Sequence, residues 1–144
     1  MEGTVVTALH VAPTKHAPME VRDELVVEEG AGIVGDRFHG TRHRHVTVQS
    51  ADDLAEAAVR RGAPVPPEAT RRNITIDGPV PREPGARLQV GDVLLEVVRV
   101  AAPCRIMETS IGPGGQEALR HRGGSVFRAL SSGRIRRGDA VRPA

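Results

Sequence analysis

The sequence predicts a mainly β fold, a strongly twisted barrel with about three short helices. Three observations carry that expectation. Short β-branched runs recur along the chain, strong helix signals are few, and Gly-Asp pairs punctuate the apolar runs where tight turns would join strands.

Taken in order, "TVVTALHVA" places Val5, Thr7, Leu9 and Val11 along one face of a strand. "GIVGDRFHG" (32–40) holds three glycines in nine residues, which suits a loop whose backbone comes close to something. "HVTVQS" (45–50) and "NITID" (73–77) alternate like strands. Between them Ser50 is a good helix N-cap, Asp52 and Asp53 suit the first turn, and Arg60 and Arg61 suit the last. Leu54, Ala57, Ala58 and Arg61 share a face of that helix, and Gly62 with Pro64 ends it. "APVPPEA" (63–69) is a stiff connection. "DVLLEVVRVA" (92–101) is apolar on both faces apart from Glu96 and Arg99, as expected of a strand covered on both sides or lining a closed barrel. Two further helices are expected at 104–111 and 114–122. "RLQVGDVL" (87–94) and "RIRRGDAV" (134–141) echo one another, each with a Gly-Asp turn that needs a positive φ. The whole, 1–144, reads as a single domain.

Composition narrows the function classes. One cysteine excludes an internal disulfide and a four-cysteine zinc site, and fits a reducing compartment. The N-terminus makes a poor signal peptide and no apolar run reaches the ~20 residues needed to cross a bilayer, so a cytoplasmic protein without membrane partners is expected. Net charge is only +2, yet residues 99–144 carry nine arginines against three acids, while residues 17–31 carry five acids against one arginine. Arginine grips phosphate or carboxylate in two places, so a small anionic ligand is a natural partner. With two phenylalanines and no tyrosine or tryptophan, base stacking has little to work with, and nucleic acid is not an expected partner.

Three places could carry chemistry. Cys104 follows Pro103 at the end of a strand and opens a short helical stretch, with Arg105 beside it, a setting that favours thiolate. A thiolate is both a nucleophile and a soft metal ligand. "FHGTRHRHV" gathers His39, His43 and His45; if 43–47 is extended, His43 and His45 share one face and Arg42 and Arg44 the other. A zinc site there would have only Asp36 as a nearby carboxylate, and the interleaved arginines suit an anion pocket better. In "TRRNITIDG", Arg72 and Asn73 lead into a strand, and Asn73 can both donate and accept. No phosphate-binding Gly-rich loop, nucleophile elbow or His-Glu-x-x-His helix is present.

"GIVGDRFHG", "RHVTVQS", "RRNITIDG", "RLQVGDVLLEVVRVAAPC" and "GPGGQEALRHRGGSVFRALSSGRIRRGDAV", in this order over about residues 3–142, resemble the MOSC domain family, named for the C-terminal domain of molybdenum-cofactor sulfurase. The resemblance implies a MOSC-type barrel with its hallmark cysteine at Cys104. It implies a sulfur-handling protein in which Cys104 carries or cleaves sulfur as a persulfide or thiolate, toward molybdenum cofactor or another sulfur-containing metabolite. The reaction would be sulfur transfer or carbon–sulfur cleavage. In relatives that hold molybdenum cofactor, the equivalent cysteine ligates molybdenum, which would make Cys104 the metal ligand here. The resemblance also assigns cofactor contacts to the glycine loop and the "RRN" segment: Gly35, Asp36, Arg37, His39, Arg72 and Asn73. Arg105 and His45 stand as catalytic candidates beside Cys104. No pyridoxal-phosphate domain lies in this sequence, so an external sulfur donor or electron donor protein is expected. The alternatives are a molybdenum-cofactor-binding reductase of N-hydroxylated compounds and a non-enzymatic anion-binding module.

Overall fold

The computed structural model describes residues 3–144. Eleven strands are present among them: β1 Thr4–Val11, β2 Glu20–Arg22, β3 Glu24–Glu28, β4 Gly32–Ile33, β5 Val46–Ser50, β6 Ile74–Ile76, β7 Arg87–Val90, β8 Val93–Val100, β9 Ser125–Ala129, β10 Gly133–Arg136 and β11 Ala140–Pro143. The helices are α1 Ala51–Arg61, α2 Arg105–Ile111 and α3 Gly115–Ala118, with a 3-10 turn at Pro67–Ala69. Strand pairing runs β11-β7-β8-β9-β5-β6-β1, and β1 returns to β11 through Thr4↔Val141 and Val5↔Ala140, so seven strands close a barrel. The fold is therefore the mainly β barrel that the sequence predicts. Only β5 and β6 run parallel, and the chain reaches one from the other through α1.

The barrel interior is packed with Leu9, Ile74, Ile76, Leu95, Phe127 and their neighbours, all essentially without solvent exposure. β1 departs from the alternation expected of it. A bulge between Val6 and Ala8 shifts the register against β6, so Val6 faces inward before it, and Leu9 and Val11 after it, while Thr7 is exposed. One extra residue switches the parity of the strand, which a strict period of two cannot anticipate. β8 matches its expectation: Val93, Leu95 and Val97 are buried and the alternating side chains half-covered.

α1 is as expected, with the Ser50 hydroxyl accepting from the Asp52 N–H and Gly62 in the left-handed region at φ 75°. α3 is shorter than expected. It stops at Ala118, and His121 at φ 65° turns the chain back toward Gly123 and Gly124. The Glu108 carboxylate accepts from the Gly114 and Gln116 N–H groups at 2.9 and 2.8 Å and so ties α2 to the start of α3. Those two hydrogen bonds, first Gln116 and then Gly114, hold the Glu108 carboxyl below the usual carboxylate range. Leu54, Ala57, Met107 and Leu119 form a second core beneath the three helices. This core anchors α2, the element that follows Cys104.

Both echoed Gly-Asp pairs are turns with positive φ, 53° at Gly91 and 93° at Gly138. Gly91–Asp92 makes the two-residue turn of the β7–β8 hairpin. Gly138–Asp139 turns the chain from β10 in a small three-stranded sheet (β10-β3-β4) to β11 in the barrel. Part of the uneven charge of the sequence is neutralised in that small sheet and beside it. Glu24 holds Arg134 at 2.6 Å and Arg136 at 2.9 Å, and Asp23 holds Arg137 at 3.4 Å. The acidic N-terminal stretch and the basic C-terminal one are thus paired with each other.

Candidate functional site

β8 ends at Val100, and the Ala101 N–H donates to the Gly124 carbonyl at 2.9 Å. Ala102 and Pro103 then lead out of the barrel, and Cys104 takes the N-cap position of α2 in an extended conformation, φ −135° and ψ 173°. Its carbonyl accepts from Met107 and Glu108, which fixes the backbone, while the cysteine itself is exposed. The thiol is free of any structural duty and open to an incoming molecule.

Two guanidiniums, those of Arg44 and Arg72, lie close enough to interact with it electrostatically. Arg72 is 2 % exposed; its Nε donates to the Gly123 carbonyl at 2.8 Å and its Nη2 to the Ala102 carbonyl at 3.1 Å. Arg72 therefore clamps the segment that delivers Cys104. Burial, and then the charge of Arg44, push the Arg72 guanidinium down to about 10, and its interaction with Cys104 opposes them. Arg44, half-buried, lies 4.2 Å from the centre of the Phe38 ring, and its Nε is buried with no hydrogen-bond partner. Burial and then Arg99 lower its affinity for the proton, and Cys104 again opposes them. Arg37 stacks on the same ring at 4.5 Å. Among the described residues no ion pair joins Arg44, Arg72, Arg99 or Arg105 to a carboxylate. The arginines of the strand edges are spent on acids; those near the thiol are not. Cations without an ion pair beside an accessible thiol suit an anionic ligand, a sulfur-bearing substrate or a phosphate.

Comparison with known proteins identifies the family and the fold. The family model for the MOSC domain matches residues 35–142. The chain belongs to the MOSC domain family. Among solved structures, YuaD from Bacillus subtilis superposes with a TM-score of 0.81 at 20% identity, covering 96% of this chain and 94% of that one. YiiM from Geobacillus stearothermophilus gives 0.77 at 16% identity (98% and 75% covered), and YiiM from Escherichia coli 0.71 at 15% (96% and 69%). At such identities the likeness is one of fold. No curated protein matches the sequence.

In this MOSC domain the residues proposed from sequence fall into two groups. Cys104 and Arg72 come together, while Arg37 is tied to Asp36 and to the Arg71 carbonyl. Arg105 is next to the thiol and exposed, as the first residue of α2. The others build the frame. Asp36 is buried and accepts from Ala12 N, Arg37 Nη1, Asn73 Nδ2 and Phe38 N, at 3.1 to 3.3 Å. Asn73 also donates to the His10 carbonyl, and its Oδ1 accepts from both N and Oγ1 of Thr47, so its amide is fully engaged within the protein. Gly35 adopts φ 88°, exposed, at the turn that aims Asp36 inward. His39 pairs with Glu28 at 2.5 Å at the surface. His45 is buried; its Nε2–H donates to the Thr41 carbonyl at 2.8 Å and its Nδ1 accepts from the Ala129 N–H at 3.0 Å. His43 and His45 do not share a face. β5 begins only at Val46, and His43 points to solvent while His45 does not. Among the described residues no three His, Cys, Asp or Glu side chains could hold a metal together, so the three histidines do not form a zinc site. Arg44 and Phe38 are the residues sequence reasoning left off its candidate set. The interleaving of arginine with histidine in "RHRH" pointed to an anion, but only the loop conformation selects Arg44.

The buried histidines give this MOSC domain a predictable acid response. His45 and His10 are both held below 6.5, chiefly by burial. On lowering the pH through 6.5, the unfolded chain takes up protons that the fold does not. Stability is therefore expected to fall from that point downward, until the folded imidazoles themselves protonate. Urea-unfolding midpoints between pH 7 and 5 check this, and a His45→Gln variant should show a shallower decline.

Proposed function

We propose that this MOSC domain accepts and passes on sulfur at Cys104. The observation that supports it most is the exposed thiol near Arg44 and Arg72, neither of which forms an ion pair among the described residues. In the step we envisage, the Cys104 thiolate attacks the terminal sulfur of a donor persulfide R–S–SH. The donor S–S bond breaks, R–S⁻ leaves with the electron pair, and Cys104 carries –S–SH. Arg44 and Arg72 stabilise the anionic nucleophile and the anionic leaving group. A donor protein and an acceptor are implied, the acceptor being molybdenum cofactor or another sulfur-containing metabolite. Cleavage of a carbon–sulfur bond by the same thiol belongs to the same class.

A second reading, a reductase of N-hydroxylated compounds, draws on the same residues. They suit molybdenum cofactor in kind: Cys104 supplies a soft ligand for the metal, and the unpartnered Arg44 Nε with Arg72 suits its phosphate. The bound cofactor would supply two-electron chemistry at molybdenum. The reading as a non-enzymatic anion-binding module loses support, because much of its arginine-rich half is already paired with Glu24, Asp23, Glu56 and Glu96.

Incubation with a cysteine desulfurase and cysteine is expected to add about 32 Da, one sulfur atom, at Cys104. The Cys104→Ser protein should gain nothing. Absence of the adduct under conditions that load a known carrier would overturn the sulfur reading. About one equivalent of molybdenum in freshly purified protein would favour the second.

A further inference from the structure

A cleft of about 550 Å³ lies next to the segment that carries Cys104, with Pro103 among its walls. It is not the arginine site. Its charged lining is Asp52 and Asp53 from the first turn of α1, together with Arg82, Arg120 and His121. Its apolar lining includes Pro79, Val80 and Val100. Such a volume suits a small organic molecule.

Both signs of charge line this cleft: Arg82 acts on Asp53, and Arg120 has only a loose surface pair with Glu117 at 3.8 Å. Asp52, Asp53 and Arg82 form no ion pair among the described residues, and Arg82 makes only a long hydrogen bond, 3.5 Å, to the His121 carbonyl. The first turn of a helix favours acids, but that does not account for Asp53 being drawn partly out of solvent with no ion pair among the described residues. Burial, and then Glu56, raise its carboxyl above the usual range, against the opposing charges of Arg122 and Arg82. The wall is also strained: His121 holds φ 65° without being glycine. Gly123 and Gly124 complete the wall, and a side chain at either would run into backbone, at the Ala101 carbonyl or at Val48 and Gln49.

We propose that this cleft binds an amino-acid zwitterion with a bulky apolar substituent on sulfur, an S-substituted cysteine. Its ammonium meets Asp52 and Asp53, its carboxylate meets Arg82 and Arg120, and its substituent lies along Val80 and Val100. An amino acid alone would leave most of the volume empty. The choice of sulfur in the side chain rests on the sulfur reading of Cys104, to which Pro103 connects this cleft; the zwitterion site itself does not.

S-benzyl-L-cysteine is the probe, followed by calorimetry or by amide chemical shifts on the full chain. Saturable binding is expected, with shifts at residues 52–53, 82 and 120–124. N-acetylation of the probe, which removes the ammonium, should weaken binding about tenfold or more, as should Asp53→Asn and Arg82→Gln. Cys104→Ser should bind as wild type does. No binding, equal binding of the N-acetyl compound, or loss of binding in Cys104→Ser would each overturn the proposal. Thermal unfolding of the variants shows that they are folded. Because binding is read without turnover, a protein that binds S-benzylcysteine but accepts no sulfur refutes the sulfur reading and keeps the cleft.

Discussion

Asp36→Ala is expected to destabilise the protein by about 3–5 kcal/mol, the cost typical of breaking a buried ion pair from one side. The Asp36 side chain is wholly buried and that of Arg37 nearly so, with 3.1 Å between them. Removing the carboxylate leaves the guanidinium without its counter-charge. It also orphans the donors on Ala12, Phe38 and Asn73, each worth about 1–3 kcal/mol when left buried and unsatisfied. Loss of one buried charge gives something back, but three orphaned donors and a lone cation outweigh it. Urea unfolding measures the difference. Stability within 1 kcal/mol of wild type would show that Asp36 is not the hub its contacts describe. The glycine loop looked from sequence like a ligand-contacting loop; the prediction treats its acid as the joint between that loop, β1 and β6.

Arg72→Met is expected to behave in the opposite way, with the fold tolerating it and anion binding lost. Two opposed effects decide the stability. Replacing the guanidinium removes hydrogen bonds to Gly123 and Ala102, at about 1–3 kcal/mol for the Gly123 carbonyl left buried and less at the exposed Ala102. It also removes a cation that the fold holds at a cost: a guanidinium pushed down to about 10 from 12.5 is a charge kept where it is unwelcome. The two are of similar size, so the unfolding free energy should move by no more than about 2 kcal/mol. The anion response should change much more. Wild-type protein in excess phosphate is expected to gain about 2.7 kcal/mol at a hundred times the dissociation constant, and the variant little of it. Thermal unfolding in phosphate against chloride at matched ionic strength reads this directly. An equal gain in both proteins would remove Arg72 from the site.

Much of the architecture was legible because its signals are local. The Ser50 cap, the Gly62 stop, the Gly-Asp turns and the apolar run of β8 each act within a few residues, and each appears where expected. The bulge in β1 was not legible, since it depends on how β6 lies alongside. Cys104 was legible from its place after Pro103, as was Arg72 from the resemblance. The division of labour among the loop residues was hidden. Asp36, Asn73 and His45 are polar residues of the sort that bind ligands, and only long-range partners such as Ala12, Thr47 and Ala129 show them holding the frame. The same holds for charge: nine arginines near one terminus suggested an anionic ligand, whereas Glu24 and Asp23, more than a hundred residues away, neutralise three of them. What survives is a smaller cationic set around one thiol.

That set is tested most directly by the reactivity of Cys104 toward a charged and a neutral alkylating agent. Iodoacetate and iodoacetamide differ chiefly in the negative charge of the former. The native protein is expected to favour iodoacetate more than free cysteine does, with the preference reduced by added salt and by Arg44→Met. A native thiol that resists both reagents, or one that shows the same ratio as free cysteine at low salt, would contradict the account.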